Sequence, residues 1–339
     1  MNKASTGSHF VTILLGTWLV LGIFIDGYAH NHGVVETFFS PWHAILYSGF
    51  LACAAWISAL IASTKKRTGS SWKEAVPAGY GLGLLGIVIF LAGGVFDMIW
   101  HIIFGIEVSI EALLSPSHLA LMTGGILILS SPFRAGWMLE EGDRAAWRSF
   151  LPYLLSLALS IGVVCFFLMY AWTFHYNLAS ANVADWYAAN AGFMQEDTQV
   201  RGITFLLLNT VALMYPVFLL MKRWQVPFGA FTFLFTFINV LMGVLDGFEQ
   251  IHGIIVAFVA GAAADLLLLP FRGAADRRRA SRFVAIVVPA VLWSGYYGWL
   301  AMNGGIGWVP ELWAGSIAQA CLVSFVLSVL AMSPDRVRP

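Results

Sequence analysis

The chain reads as an all-α, polytopic integral membrane bundle of about ten transmembrane helices, with an internal helix–loop–helix repeat. Three observations predict this. The 339 residues are 59% hydrophobic and only 11% charged, a composition suited to lipid rather than to a soluble core. Apolar runs of about 20 residues recur along the whole length, each long enough to cross a bilayer. The basic residues cluster in alternate connections between those runs.

In order, the spans are predicted at 9–29, 41–63, 78–103, 116–133, 150–176, 201–222, 226–246, 250–271, 282–301 and 312–332. The break between 226–246 and 250–271 is short, around Gly247. All of it is read as one transmembrane domain, 1–339, with the repeat at 10–63 and 78–133 and additional helices over 150–332.

Charge fixes an expected orientation. Lys65, Lys66, Arg67 and Lys73 separate spans two and three, and Arg134, Arg144 and Arg148 separate four and five. Lys222 and Arg223 follow span six; Arg272, Arg277, Arg278, Arg279 and Arg282 lie between eight and nine. With Lys3 at one end and Arg336 and Arg338 at the other, every basic residue except Arg201 falls on one side. The positive-inside rule makes that side cytoplasmic, with both termini inside a bacterial-type inner membrane. The first apolar run leads into Asp26 without a cleavage motif.

The opposite side receives all His except His9, together with eleven acids, a surface that concentrates cations. Asp265 stands apart within span eight, where an acid needs a partner or a pathway. Net charge is zero and no basic block suits nucleic acid. Cys53, Cys165 and Cys321 are scattered, forming neither a disulfide framework nor a CxxC pair.

The chemistry is concentrated in a constellation that occurs twice. Asp26, His30, Glu36 and His43 read Asp-x3-His, then Glu-x3-Ser-Pro-x-His; so do Asp97, His101, Glu111 and His118, starting 71 residues later. Asp and His four apart share one helical face and reach one ion. Ser40-Pro41 and Ser115-Pro116 read as helix starts, with Ser as N-cap and Pro in the first turn. His43 and His118 then sit in a first turn, where the positive helix end favours the neutral imidazole that a metal requires. Glu36, Glu107 and Glu111 either ligate or orient a ligand. The structural alternative is a pair of polar networks that pack helix ends.

A third, partial element is DGFEQIHG, in which Asp246 and His252 repeat the spacing of Asp26 and His32, and Glu249 adds a carboxylate. It either retains a ligand function or caps a tight turn. His32 either ligates or faces water. His175 ends span five, as a ligand or as an interfacial hydrogen-bonding residue. The aromatic residues near the motifs (Trp42, Trp100, Trp172, Trp186) read as membrane-interface belts that could also wall an apolar pocket.

Asp-x3-His-x12-His, with Ser-Pro-x-His at its end, resembles the copper-binding signature of the C subunit of the particulate methane and ammonia monooxygenases. Asp26, His30 and His43 match it without a gap. Asp97, His101 and His118 resemble that subunit's second, downstream site, with Asp97 where the family has Asn and a longer span between the two His. The resemblance covers roughly residues 20–125. It implies copper at both triads, a membrane monooxygenase-like oxidoreductase or a subunit of one, other monooxygenase-like subunits as partners, and a small apolar substrate. No particular residue is assigned as catalytic. Iron or zinc would also suit a carboxylate–imidazole set. Two other classes stay open. One is a metal carrier, sensor or storage protein; a carrier should show polar residues threading inward, for which Asp265 is the candidate. A scaffold would hold structural metals. A cytoplasmic di-iron hydroxylase is disfavoured, because no HxxHH cluster occurs. Membrane lipid is the common partner, and a homo-oligomer is an alternative to a complex.

Overall fold

The computed structural model describes residues 2–33, 39–105, 110–139, 146–190, 195–271 and 277–333. Among these the secondary structure is helical apart from one isolated bridge, between Ser180 and Ile306. Among the described residues eight helices are long and apolar enough to cross a membrane, and a ninth crossing follows if one bent helix pair is a single span. The chain is a multi-pass helical membrane protein by these criteria. It folds as two compact units.

The first unit contains α1 (Thr6–Asn31), α2 (Pro41–Thr68), α3 (Trp72–Ala75), α4 (Gly81–Phe104), α5 (Glu111–Leu114), α6 (Pro116–Leu129), α7 (Ser131–Leu139) and α8 (Trp147–Phe167). Its main pairs are α1 against α2 and α4 against α6, with α8 packed on α1, α6 and α7. Small residues set both approaches. A Cβ on Gly22 would lie 2.6 Å from the Leu46 Cα, and one on Gly49 would lie 2.7 Å from the Leu19 backbone N. Between α4 and α6 the same role falls to Gly86 and Gly124, where a Cβ would lie 2.7 Å from backbone atoms of the facing helix. Backbones this close gain dispersion contacts that lipid cannot match.

Local chemistry starts and stops these helices as the sequence suggests. Ser40 and Ser115 are N-caps in extended conformation, and their hydroxyls accept from the His43 N–H (3.2 Å) and the His118 N–H (3.4 Å). Pro41 and Pro116 follow in the first turn, where the missing N–H has no helical partner to lose. Gly69 ends α2 in the left-handed conformation (φ 66°). At the other end of α1 from Asp26, His9 Nδ1 lies 3.0 Å from the Tyr80 hydroxyl, and Thr12 links that hydroxyl to Trp56 Nε1. That network packs α1 on α2 and on the residue before α4.

The predicted span 116–133 is broken. α6 and α7 meet at 44° across Ser130. Arg134 supplies a cause: its guanidinium donates to the Leu127 carbonyl at 2.7 Å and to the Gly79 carbonyl at 3.0 Å, satisfying the end of α6 from beyond the bend.

The second unit contains α9 (Thr173–Tyr176), α10 (Ala181–Asn190), α11 (Gln195–Arg223), α12 (Ala230–Val244, to residue 243), α13 (Ile251–Leu268), α14 (Arg277–Met302) and α15 (Pro310–Ala331). α14 packs on α13 and α15, and α11 packs on α15. The expected span 226–246 is shorter than predicted. α12 has 15 residues, about 22 Å of helix against about 30 Å of hydrocarbon. Pro227 and Gly229 (φ 89°) precede it, and Gly247 (φ 63°) follows. Asp265 belongs to this shortening. Its carboxylate is 2% exposed and accepts from the Phe231 N–H (3.3 Å), the Thr232 N–H (2.8 Å) and the Thr232 hydroxyl (2.6 Å). It caps the start of α12 from the neighbouring helix, which is the partner an acid inside the membrane requires.

Candidate metal centre

Two groups of acid and imidazole come together in the first unit, and each draws on two helices. Asp26 and His30 lie one turn apart near the end of α1; His43 lies in the first turn of α2. Asp97 and His101 lie near the end of α4, and His118 lies in the first turn of α6. In each group one ligand-capable atom per residue falls within 4.8 Å of the others.

The distances discriminate between two kinds of contact. Asp97 Oδ1 lies 3.5 Å from His101 Nε2 and 3.4 Å from His118 Nε2. In the first group, Asp26 Oδ1 lies 3.5 Å from His43 Nε2, and Asp26 Oδ2 lies 4.0 Å from His30 Nε2. A charge-assisted hydrogen bond would close to about 2.7–2.9 Å. Ligands placed tetrahedrally about 2.1 Å from one ion stand about 3.4 Å from each other. The second group has that edge length twice and the first has it once.

The carboxylates carry a second mark. Asp97 is 1% exposed, yet its Oδ1 accepts no hydrogen bond, and neither does the buried Asp26 Oδ1. A buried carboxylate oxygen without a donor is costly unless a cation faces it. In the second group that oxygen faces two imidazole Nε2 atoms, and in the first it faces one, that of His43.

Outer contacts orient the rings. His101 Nδ1 lies 3.2 Å from the Gly105 carbonyl. A carbonyl only accepts, so Nδ1 donates, and Nε2 is the nitrogen turned toward Asp97. His118 Nδ1 lies 2.6 Å from Ser115 Oγ, so the N-cap serine also orients the ring three residues later. Both groups lie in the first unit. Tyr47, one turn beyond His43, stands between them. Its ring centroid is 6.3 Å from that of His43, and its hydroxyl hydrogen-bonds the Asp97 carboxylate.

Other candidates fall elsewhere. His32 is exposed, stacks on Tyr28 at 3.9 Å, and places Nδ1 2.8 Å from the Tyr28 carbonyl. His175 and Glu249 are exposed in the second unit. His252 is buried in that unit, stacked on Trp299 at 5.3 Å and 5°, with Nε2 lacking a hydrogen bond. Asp246 belongs to the first unit. Among the described residues none of these joins a third ligand group. Glu36, Glu107 and the side chain of Glu111 lie outside the described residues.

Reasoning from sequence did not single out Tyr47 or Gly105. Tyr47 carried a usable signal: it lies four residues after His43 and so shares its helical face. Gly105 is the residue at which α4 ends (φ 84°), so its carbonyl is one that no further helical turn would claim.

Comparison with known proteins finds no matching family model, no similar curated protein and no similar solved structure.

Proposed function

We propose that this chain is a membrane metal protein whose two triads, Asp26/His30/His43 and Asp97/His101/His118, each bind copper, and that it acts as a monooxygenase-like oxidoreductase or as a subunit of one. The observation that carries the metal reading is the pair of buried, donorless carboxylate oxygens set at tetrahedral-edge distance from imidazole Nε2 atoms. Copper is favoured over zinc and iron by the resemblance of the motifs. Copper bound there would supply one-electron redox chemistry, and three protein ligands leave a position open for an exogenous ligand. The protein's own residues hold the ion and keep the imidazoles neutral and aimed. They also enclose it near apolar surface where a small apolar substrate partitions.

The same reading takes α1–α2 and α4–α6 as duplicated hairpins. It takes the chain as ten crossings with α12 as a short one, and it places both triads on the periplasmic side with both termini cytoplasmic. It takes other subunits or further copies of the chain as partners. The carrier alternative loses its inward stepping-stone, because Asp265 is occupied in capping α12.

The test is metal analysis with electron paramagnetic resonance on protein in nanodiscs. We expect two copper ions per chain with nitrogen hyperfine structure. His43→Ala and His118→Ala should each remove one ion, and the double variant both. Two ions retained in the double variant would make the triads structural networks and end the proposal. Loss of both ions in each single variant would replace two sites by one shared cluster.

A further inference from the structure

The two triads are unequal in one respect. The carboxylate of the second is held by a residue from the helix that serves the first. Tyr47 lies on α2, one turn past His43, with its ring 6.3 Å from that imidazole. The ring is wedged against α4: a Cβ added to Gly94 would come within 2.9 Å of Tyr47 Cε1 and 3.3 Å of its hydroxyl. Phe90, also on α4, meets the same ring edge-on at 6.4 Å. From this seat the hydroxyl donates to Asp97, the least exposed of the six ligand candidates, while Asp97 Oδ1 remains turned to His101 and His118. The position four residues after His118 is Met122, which has no hydroxyl to return the favour to Asp26.

We infer that Tyr47 is a positioning residue of the second metal site, supplied by the first site's helix, and that it makes the state of the second ion depend on the placement of α2. The inference rests on the metal reading above. A carboxylate ligand has two oxygens. A donor on the carboxylate fixes which of them faces the ion and lowers the basicity of the group, so losing that donor releases its orientation. Partners of this kind typically change metal affinity 10–100-fold. Because the donor comes from α2, the placement of that helix reaches the Asp97 carboxylate through the Tyr47 hydroxyl.

The experiment is a copper titration of Tyr47→Phe in nanodiscs, followed by electron paramagnetic resonance. His43→Ala and His118→Ala backgrounds assign each signal to its triad. Tyr47→Phe keeps the ring against His43, Phe90 and Gly94 and removes only the hydroxyl. We expect the second ion to bind about 10–100-fold more weakly with altered hyperfine couplings, and the first ion to keep its affinity and spectrum. Gly94→Ala, which pushes the ring aside while leaving the hydroxyl, should act in the same direction. Unchanged affinity and spectrum of the second ion in Tyr47→Phe would overturn the inference. So would equal weakening of both ions, which marks a general packing role, or an effect confined to the first ion. Wild-type protein that takes up no copper would remove the metal reading itself, before any variant is compared.

Discussion

Replacing Gly22 by Ala should abolish metal binding at the proposed first site without touching any of its three candidate ligands. Gly22 lies one turn before Asp26 on α1, and it faces α2 at Leu46, three residues after His43. A Cβ there would sit 2.6 Å from the Leu46 Cα and 2.8 Å from its backbone N, whereas ordinary contact begins at 3.4 Å. Neither obstacle is a flexible side chain, so the helices must separate by about 0.8 Å. Asp26 and His30 move with α1 and His43 moves with α2, so the 3.5 Å between Asp26 Oδ1 and His43 Nε2 opens to about 4.3 Å. Metal–ligand distances tolerate only about 0.2 Å. The first triad would then offer two ligands instead of three. Overpacking costs about 1–3 kcal/mol, small enough for the protein to remain folded. The assay is copper per chain with electron paramagnetic resonance, beside a thermal melt. We expect one ion in place of two, with the second-site signal retained. Two ions with an unchanged first-site spectrum in a folded Gly22→Ala protein would refute the reasoning. Gly124→Ala, whose Cβ would lie 2.7 Å from the Phe90 backbone N, is the matching perturbation of α4 and α6 and should spare the first ion.

Three further predictions follow from the same geometry. Asp97→Asn keeps the shape of the ligand and removes its charge; metal titration should show the second ion bound more weakly but still bound, and complete loss would mean that the carboxylate charge is indispensable. Asp265→Ala strips the cap from α12 and leaves two N–H groups and a hydroxyl without their acceptor, a loss of about 2–4 kcal/mol; a lowered melting temperature with the full copper complement is expected, and an unchanged melt would discount the cap. Reporter fusions at residue 70 and at residue 190 should read cytoplasmic and periplasmic respectively, and the reverse result would invert the proposed orientation.

The features that sequence reasoning reached are those fixed over a turn or two of chain. Asp26 with His30, and Asp97 with His101, share a face because helical spacing demands it. Ser40-Pro41 and Ser115-Pro116 start helices because the N-cap and the proline each solve a local hydrogen-bonding problem. For features fixed by distant partners, the partner was not legible even where, as at Tyr47, the helical face was. Tyr47 meets Asp97 across fifty positions of sequence, and nothing in WHAILYSG announces an acid on another helix. Arg134 looks like an ordinary inner-loop cation, yet it reaches the carbonyls of Leu127 and Gly79 and accompanies the bend that breaks span four. Asp265 looks like a pathway residue until Thr232 and Phe231 are placed against it. The DGFEQIHG element shows the converse. Its spacing copies Asp26 to His32, but the residues that complete a triad are missing, and Asp246 and His252 fall in different compact units.

Each triad draws two side chains from one helix and one from a second, across a connection of only nine residues in the first case (32–40). An ion bound there is a clasp across a hairpin already closed by its glycine seam. It therefore spends little of its binding free energy on gathering the chain, because closing so short a loop costs little and the packed helices have already met that cost. Such a clasp would sense how the two helices cross, because Asp26 and His43 sit on different helices. Tilt in a membrane responds to the thickness of the surrounding hydrocarbon. On the metal reading proposed above, lipid composition would become a variable of metal affinity, with ions held more or less tightly according to the surrounding bilayer.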